Sequence, residues 1–319
     1  MRLTLADLYA SLSKGNITKT AQAFESIIRK RIREDGKARI ALPPIKINPS
    51  DLTYDPNNET LFRVIHIEPE VHRDFAVVTS LKGKAEKVQT RPEAVAAYLY
   101  TVATKEVEID VVDTWKTNYS LQSWLQQNLI KDLEKKETQK FLDLVHVAAN
   151  STGSIIQIPA ASWISFDQIL SQGISKFSED ERRGYLNLIM MNEKDFTIMV
   201  SNLFSQQVAV DQLAREIISD SLQITTLFGY QFVVTRQSSL IPPGVIYLFA
   251  KPEWLGEFAL VTDVSVHIES KQKKFSFAAW EAFTMAIANP YGCVVLVQEG
   301  IPATNLGNWD KYTESGIVA

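Results

Sequence analysis

Pro242–Asp263 reads PPGVIYLFAKPEWLGEFALVTD. A Pro-Pro-Gly turn leads into the apolar run Val245–Ala250 (VIYLFA), whose β-branched and aromatic side chains read as a strand. Lys251-Pro252 breaks that run, because proline has no N–H and restricts the residue before it. An aromatic knuckle, EWLGEF, follows, and the chain then resumes as an extended segment. Two strands and an aromatic knuckle packed this closely, with no Ser, Cys or His among them, describe a wall rather than a chemical site.

Downstream, FALVTDVSVHIES and KKFSFAAWEAFTMAI read as two facing extended runs joined by the polar turn KQKK. Asn289-Pro290-Tyr291-Gly292 makes the next turn, and YGCVVLVQE returns as a strand. The tail IPATNLGNWDKYTESGIVA is polar and is expected on the surface. Upstream, Trp163–Lys251 alternates between the two periods. FDQILSQGISKF and EKDFTIMVSNLF read as helices, with another within QLAREIISDSL. LNLIMMN and FGYQFVVTR read as strands, giving a mixed α/β domain of roughly 90 residues.

Tyr119–Asn150 carries the strongest helical pattern. Leu121, Leu125, Leu129, Leu133, Phe141 and Val145 keep an i, i+4 rhythm that only Glu137 interrupts. Trp124, Leu144 and Ala148 broaden the stripe, and Ser120 is a candidate N-cap. At a rise of about 1.5 Å per residue the helix would run about 45 Å, the length of a structural spine.

Lys37–Asp113 has a different character. RIALPPIKINPSDLTYDPNNET is too rich in Pro and Asn for a long helix. LFRVIHI and DFAVVTSL, followed by the charged turn KGKAEK, predict an extended hairpin. PEAVAAYLYTVA predicts a helical patch, and VEIDVV places Val107, Ile109 and Val111 on one face. With so few continuous apolar runs, this region is expected to be stable by lying on something else. Before it, Leu5–Arg33 is predicted largely helical, interrupted at Gly15-Asn16 and stopped by Asp35-Gly36.

The whole chain of 319 residues has a formal charge of -4, with no strong bias toward nucleic acid. Residues 1–50, however, hold ten Lys or Arg, among them Arg29, Arg31 and Arg33, against four acids. A solvated helix face and an arm that contacts an acidic neighbour subunit or nucleic acid both fit that excess. The single cysteine, Cys293, forbids an internal disulfide framework, and its flanks read as a buried strand with a structural thiol. No run of about 18 apolar residues predicts a membrane span, and no signal-peptide core precedes the first helix.

Chemistry is sparse. The sequence contains no phosphate-binding Gly-rich loop, CxxC, HExxH or GxSxG. His66 and His72 flank Glu68 and Glu70, but neither sits on a rigid element that would fix ligand geometry, so exposed strand side chains are expected. Glu281 lies among small and aromatic residues, and a buried carboxylate there requires a Lys or Arg partner, from this chain or a neighbour. Trp254, Phe258, Phe275, Phe277, Trp280 and Phe283 read as core. Catalytic, cofactor and metal residues are therefore expected to be none. The structural and interface candidates are Arg29, Arg31, Arg33, Lys82, Lys84, Lys87, Trp254, Trp280 and Glu281.

The order of these parts resembles the major capsid proteins of tailed bacteriophages, the Hong Kong 97-type fold. The residues that carry the resemblance are VIYLFAKPEWLGEFALVTDVSVHIE, then FSFAAWEAFTMAIANPYGCVVLVQ, with LNLIMMNEKDFTIMV and FGYQFVVT before them. The resemblance implies an α+β fold with an N-terminal arm (1–38) and an extended β-hairpin loop (39–112). A peripheral domain would take 113–165 with the spine helix and the return strands 256–290. An axial α/β domain would take 166–255, with the closing strand and tail in 291–319.

It further implies a homo-oligomer of pentamers and hexamers, a virion location after assembly in the host cytoplasm, and packaged double-stranded DNA contacted without sequence reading. A separate scaffolding protein is expected because the arm before the hairpin is short, alongside a portal and a possible decoration protein, and no membrane. The isopeptide crosslink of some family members is not carried over: Lys82, Lys84 and Lys87 form a Lys-rich turn of the kind common on exposed tips. An encapsulin-like compartment on the same fold and, from a different class, an α/β enzyme built on 166–255 are the alternatives.

Overall fold

The computed structural model describes residues 36–67, 93–110, 128–129, 131–160, 166–179, 183–205, 224–227, 229–271 and 274–301. Arg29, Arg31, Arg33, Lys82, Lys84, Lys87 and His72 lie outside them, as do the runs DFAVVTSL and QLAREIISDSL and the C-terminal tail beyond Ile301.

Two sheets organise the described chain. The first has six strands in the order β6 (Ile155–Ile158), β13 (Cys293–Gln298), β10 (Val245–Ala250), β7 (Leu186–Asn192), β9 (Tyr230–Thr235) and β8 (Ile224–Leu227). VIYLFA is its centre, antiparallel to β13 on one side and to β7 on the other. All six residues of β10 are buried, because the period of two sends them alternately into two covered faces. On one face Ile246 and Leu248 meet Phe177 of α3 (Phe166–Ser178) and Phe196 of α4 (Glu193–Ser205). On the other, Tyr247 and Phe249 meet Phe141 and Val145 of the spine helix α2 (Lys131–Ser151). The Phe141 and Phe249 rings lie 5.3 Å apart.

The turn into β10 depends on Gly244, at φ +86°, where an added Cβ would come within 2.1 Å of Ile301 Cδ1.

The second sheet has seven strands. Its path is β1 (Ile45–Lys46), β11 (Gly256–Lys271), β12 (Lys274–Ile287), β4 (Glu93–Ala103), β3 (Thr60–Ile67) and β2 (Thr53–Asp55), with β5 (Val107–Asp110) also on β12. β11 and β12 form a long antiparallel pair running from Gly256–Ile287 to Lys271–Lys274. Phe258, Leu260, Phe283 and Met285 of that pair join the spine helix and β10 in one core, which couples the two sheets.

One expectation is corrected. PEAVAAYLYTVA is strand β4, not helix: Glu93–Tyr98 pairs with β3 and Leu99–Ala103 with β12. Its alanines favour helix in isolation, but ladders on both halves of the segment override that preference. Gly36 leads into a short helix, α1 (Lys37–Ala41), from which Ala38 and Ala41 enter the core with Leu42 just beyond it, whereas the helix expected over Leu5–Arg33 lies outside the described residues.

Candidate functional site: a buried ion cluster and two surface tryptophans

α1, α2 and β12 meet at a charge cluster. Arg39 donates from Nε to both carboxylate oxygens of Glu137 at 3.0 Å, and its Nη2 also bonds Glu137. The same Nη2 donates to Glu281 Oε2 at 2.9 Å. The Arg39 side chain is 1% exposed and both glutamates 0%. The guanidinium also lies 5.6 Å from the Phe258 ring centroid. Beside it, Lys37 Nζ sits 3.6 Å from Glu134, one turn along α2 from Glu137.

Glu281 thus has the cationic partner its apolar surroundings required, and that partner is within the chain. Burial, with Glu137 close by and hydrogen-bonded to it, pushes the Glu281 carboxyl up to about 10 despite Arg39. Glu281 is the neutral member of the trio, and Arg39 and Glu137 form the ion pair.

Sequence reading missed Arg39 and Glu137. The signal for Glu137 was present: it occupies the core phase of the stripe between Leu133 and Phe141, where a charge needs a buried partner. Arg39 had no such mark, being one of ten basic residues in the first fifty.

A second titratable core group is His146. Its Nε2 and the Tyr247 hydroxyl are 2.6 Å apart, and burial pushes the imidazole down to about 3. The two groups oppose each other in pH. Folded His146 titrates below its ordinary 6.5, so stability is lost as pH falls from 6.5 toward 3. Folded Glu281 titrates above its ordinary 4.5, so its protonated form stabilises fully below 4.5 and stability is lost as pH rises toward 10. Denaturant midpoints measured against pH should therefore peak between 4.5 and 6.5, where the two slopes cancel. Glu281→Gln should flatten the alkaline limb, and an unchanged limb would remove Glu281 from its cause.

Trp254 and Trp280 correct the core expectation, whereas Phe258, Phe277 and Phe283 fulfil it. On β12 the odd positions Phe277, Ala279, Glu281 and Phe283 are buried, so Trp280 projects from the opposite face and is 39% exposed. Trp254 ends the turn Pro252–Trp254 and is 51% exposed, while Leu255 beside it is buried. Neither substitution to alanine would open a core cavity.

Trp254 nonetheless packs against the chain at Gly184. Gly184, at φ +66°, leaves room for it: an added Cβ there would lie 3.1 Å from Trp254 Cγ. Arg183 fixes that segment by donating to Ser154 Oγ at 2.9 Å and to the Tyr291 carbonyl at 3.3 Å. Tyr185, the next residue, is 80% exposed, so the knuckle presents two aromatics on an anchored base.

Cys293 is buried and its thiol is pushed up to about 12 by burial, as a structural thiol requires. His66 is exposed on β3. Among the described residues no group of three or more His, Cys, Asp or Glu is arranged to hold a metal ion, and no helix is long and apolar enough to cross a membrane.

No family model matches the sequence, and no curated protein matches it. Solved structures do. The virus-like particle from Pyrococcus furiosus aligns over 86% of this chain and 98% of its own, at 14% identity and TM-score 0.53. The capsid of the cyanophage P-SCSP1u aligns over 81% and 86%, at 10% identity and TM-score 0.55. The mature capsid of bacteriophage PhiM1 aligns over 84% and 88%, at 9% identity and TM-score 0.55. The α+β architecture of this chain is therefore the Hong Kong 97-type fold of phage capsid and virus-like-particle subunits.

Proposed function

We propose that this chain is the shell subunit of a tailed double-stranded DNA phage, assembling as pentamers and hexamers around the genome. The observation that supports it most is the reach of the likeness: the fold covers 86–98% of subunits from a virus-like particle and two phage capsids. In this reading 1–38 is the arm, 39–112 the extended loop, 113–165 with 256–290 the peripheral domain, and 166–255 with 291–319 the axial domain. The subunit performs no catalysis. It acts by repeated interfaces that close under symmetry, with surface aromatics such as Trp254 as their anchors. A scaffolding protein, a portal and a decoration protein are its proposed partners, and the virion its location.

The test is negative-stain electron microscopy of the purified chain, alone and with a co-expressed scaffolding protein, followed by nuclease digestion of the contents. Closed shells or rings of five and six support the reading. A monomer under every condition overturns it. The Pyrococcus furiosus neighbour, a virus-like particle rather than a phage capsid, favours a second reading as a compartment shell. Particles that enclose protein and no nuclease-sensitive DNA would select that one.

Deleting residues 1–30 is expected to leave the subunit folded, because α1 and its ion pairs begin at Lys37. The same deletion is expected to block shells by removing the basic arm. Normal thermal melting with no particles is the expected result, and normal particle yield would end the role proposed for the arm.

A further inference from the structure

α1 is five residues long and has no side-chain cap at its N-terminus, so it has no stability of its own. It is held by Ala38, Ala41 and Leu42 in the core and by ion pairs to two other elements. The charges that meet there are few, and all but Asp263, which is partly exposed, are buried. Lys37 and Arg39 come from α1, Glu134 and Glu137 from α2, Asp263 from β11 and Glu281 from β12. β4 places Val102 opposite Glu281 and adds no charge. Two cations thus face four carboxylates, and the pair nearest Arg39 is wholly excluded from water. Two adjacent buried carboxylates against one guanidinium are accommodated most cheaply by a proton on one of them. Glu281 Oε2 already accepts from Arg39 Nη2, and Glu137 lies close enough to Glu281 to share that proton.

We propose that α1 is a proton-dependent latch: it docks onto α2 and β12 with one proton held by the Glu137–Glu281 pair, and it releases as the pH rises. Release admits water, which removes the burial that is the largest cause of the raised Glu281 titration. The docked form keeps its proton up to about 10, and a hydrated Glu281 gives it up near 4.5. Opening therefore liberates a proton across that window and becomes easier with rising pH. What the latch controls follows from the sequence. Residues 1–35, with seven Lys or Arg and four acids, join the folded body through α1. Docking fixes Lys37 and Arg39, where that basic segment meets α1, against the spine helix, and release frees that attachment point.

The experiment is amide hydrogen exchange on unassembled full-length subunits at pH 5.5, 7.0 and 8.5, corrected for intrinsic chemical rates. The Ile40 and Leu42 amides, which bond the Gly36 and Ala38 carbonyls, report α1, and those of β10 report global unfolding. The opening constant of α1 is expected to rise about tenfold per pH unit, ahead of β10. In Glu281→Gln, where the amide keeps the bond to Arg39 and replaces the proton, it is expected to be flat. A flat wild-type profile, an unaltered slope in Glu281→Gln, or equal protection of α1 and β10 at every pH overturns the latch. Should the variant fail to fold, the wild-type slope and its difference from β10 decide alone. Because the subunits are unassembled, the result is independent of whether they form shells.

Discussion

Arg39→Ala is expected to lower the unfolding free energy by about 3–5 kcal/mol, the range for breaking a buried ion pair by removing one partner. The reason is what stays behind. Glu281 is already neutral, but Glu137 becomes a lone carboxylate at 0% exposure between α2 and β12. It must either take up a proton or draw water into the joint, and both loosen the contact between the spine helix and the long strand pair. Urea or guanidinium unfolding, followed by circular dichroism, measures the loss. The combined change Arg39→Met, Glu137→Leu and Glu281→Met is expected to recover most of it, since an apolar cluster carries no unpaired charge. A loss under about 1 kcal/mol for Arg39→Ala would mean that the cluster is solvated and contributes little.

Trp254→Ala is expected to do the reverse: little to the subunit, much to the particle. The side chain is 51% exposed, and truncation at such a surface changes stability by about 0.5 kcal/mol or less. As an interface anchor the same ring is worth about 2 kcal/mol or more at each contact, roughly 30-fold in affinity. A shell repeats that contact at every subunit, so the yield of closed particles should collapse while the melting temperature holds. Light scattering and electron microscopy on melting-matched samples read the two effects apart. Trp254→Phe should restore part of the yield. Full yield from Trp254→Ala would take the knuckle out of the interface, and the same assay on Trp280→Ala tests the opposite face of β12.

These two sites mark where the sequence was readable. Most elements were legible because their side-chain period survives in the fold. VIYLFA, LNLIMMN and YGCVVLVQE are strands as read, and FDQILSQGISKF and EKDFTIMVSNLF are helices as read. The Glu281 partner was anticipated in kind from the cost of burying a carboxylate, although its identity was not. The failures share one cause. The helical reading of PEAVAAYLYTVA and the core reading of the two tryptophans both rest on local sequence, which is silent about which neighbour lies on which side.

The sequence by itself determined the local periods, the alternation of helices and strands after residue 163, the lone structural thiol and the need for a cation near Glu281. Those properties depend on residues within a few positions of one another. Tertiary structure decided that Arg39 crosses 98 positions to Glu137 and 242 to Glu281, that β4 is a strand, and that Trp254 and Trp280 face outward. Each of those depends on contacts between distant segments, whose closure is set by the packing of two sheets on one helix rather than by any local preference.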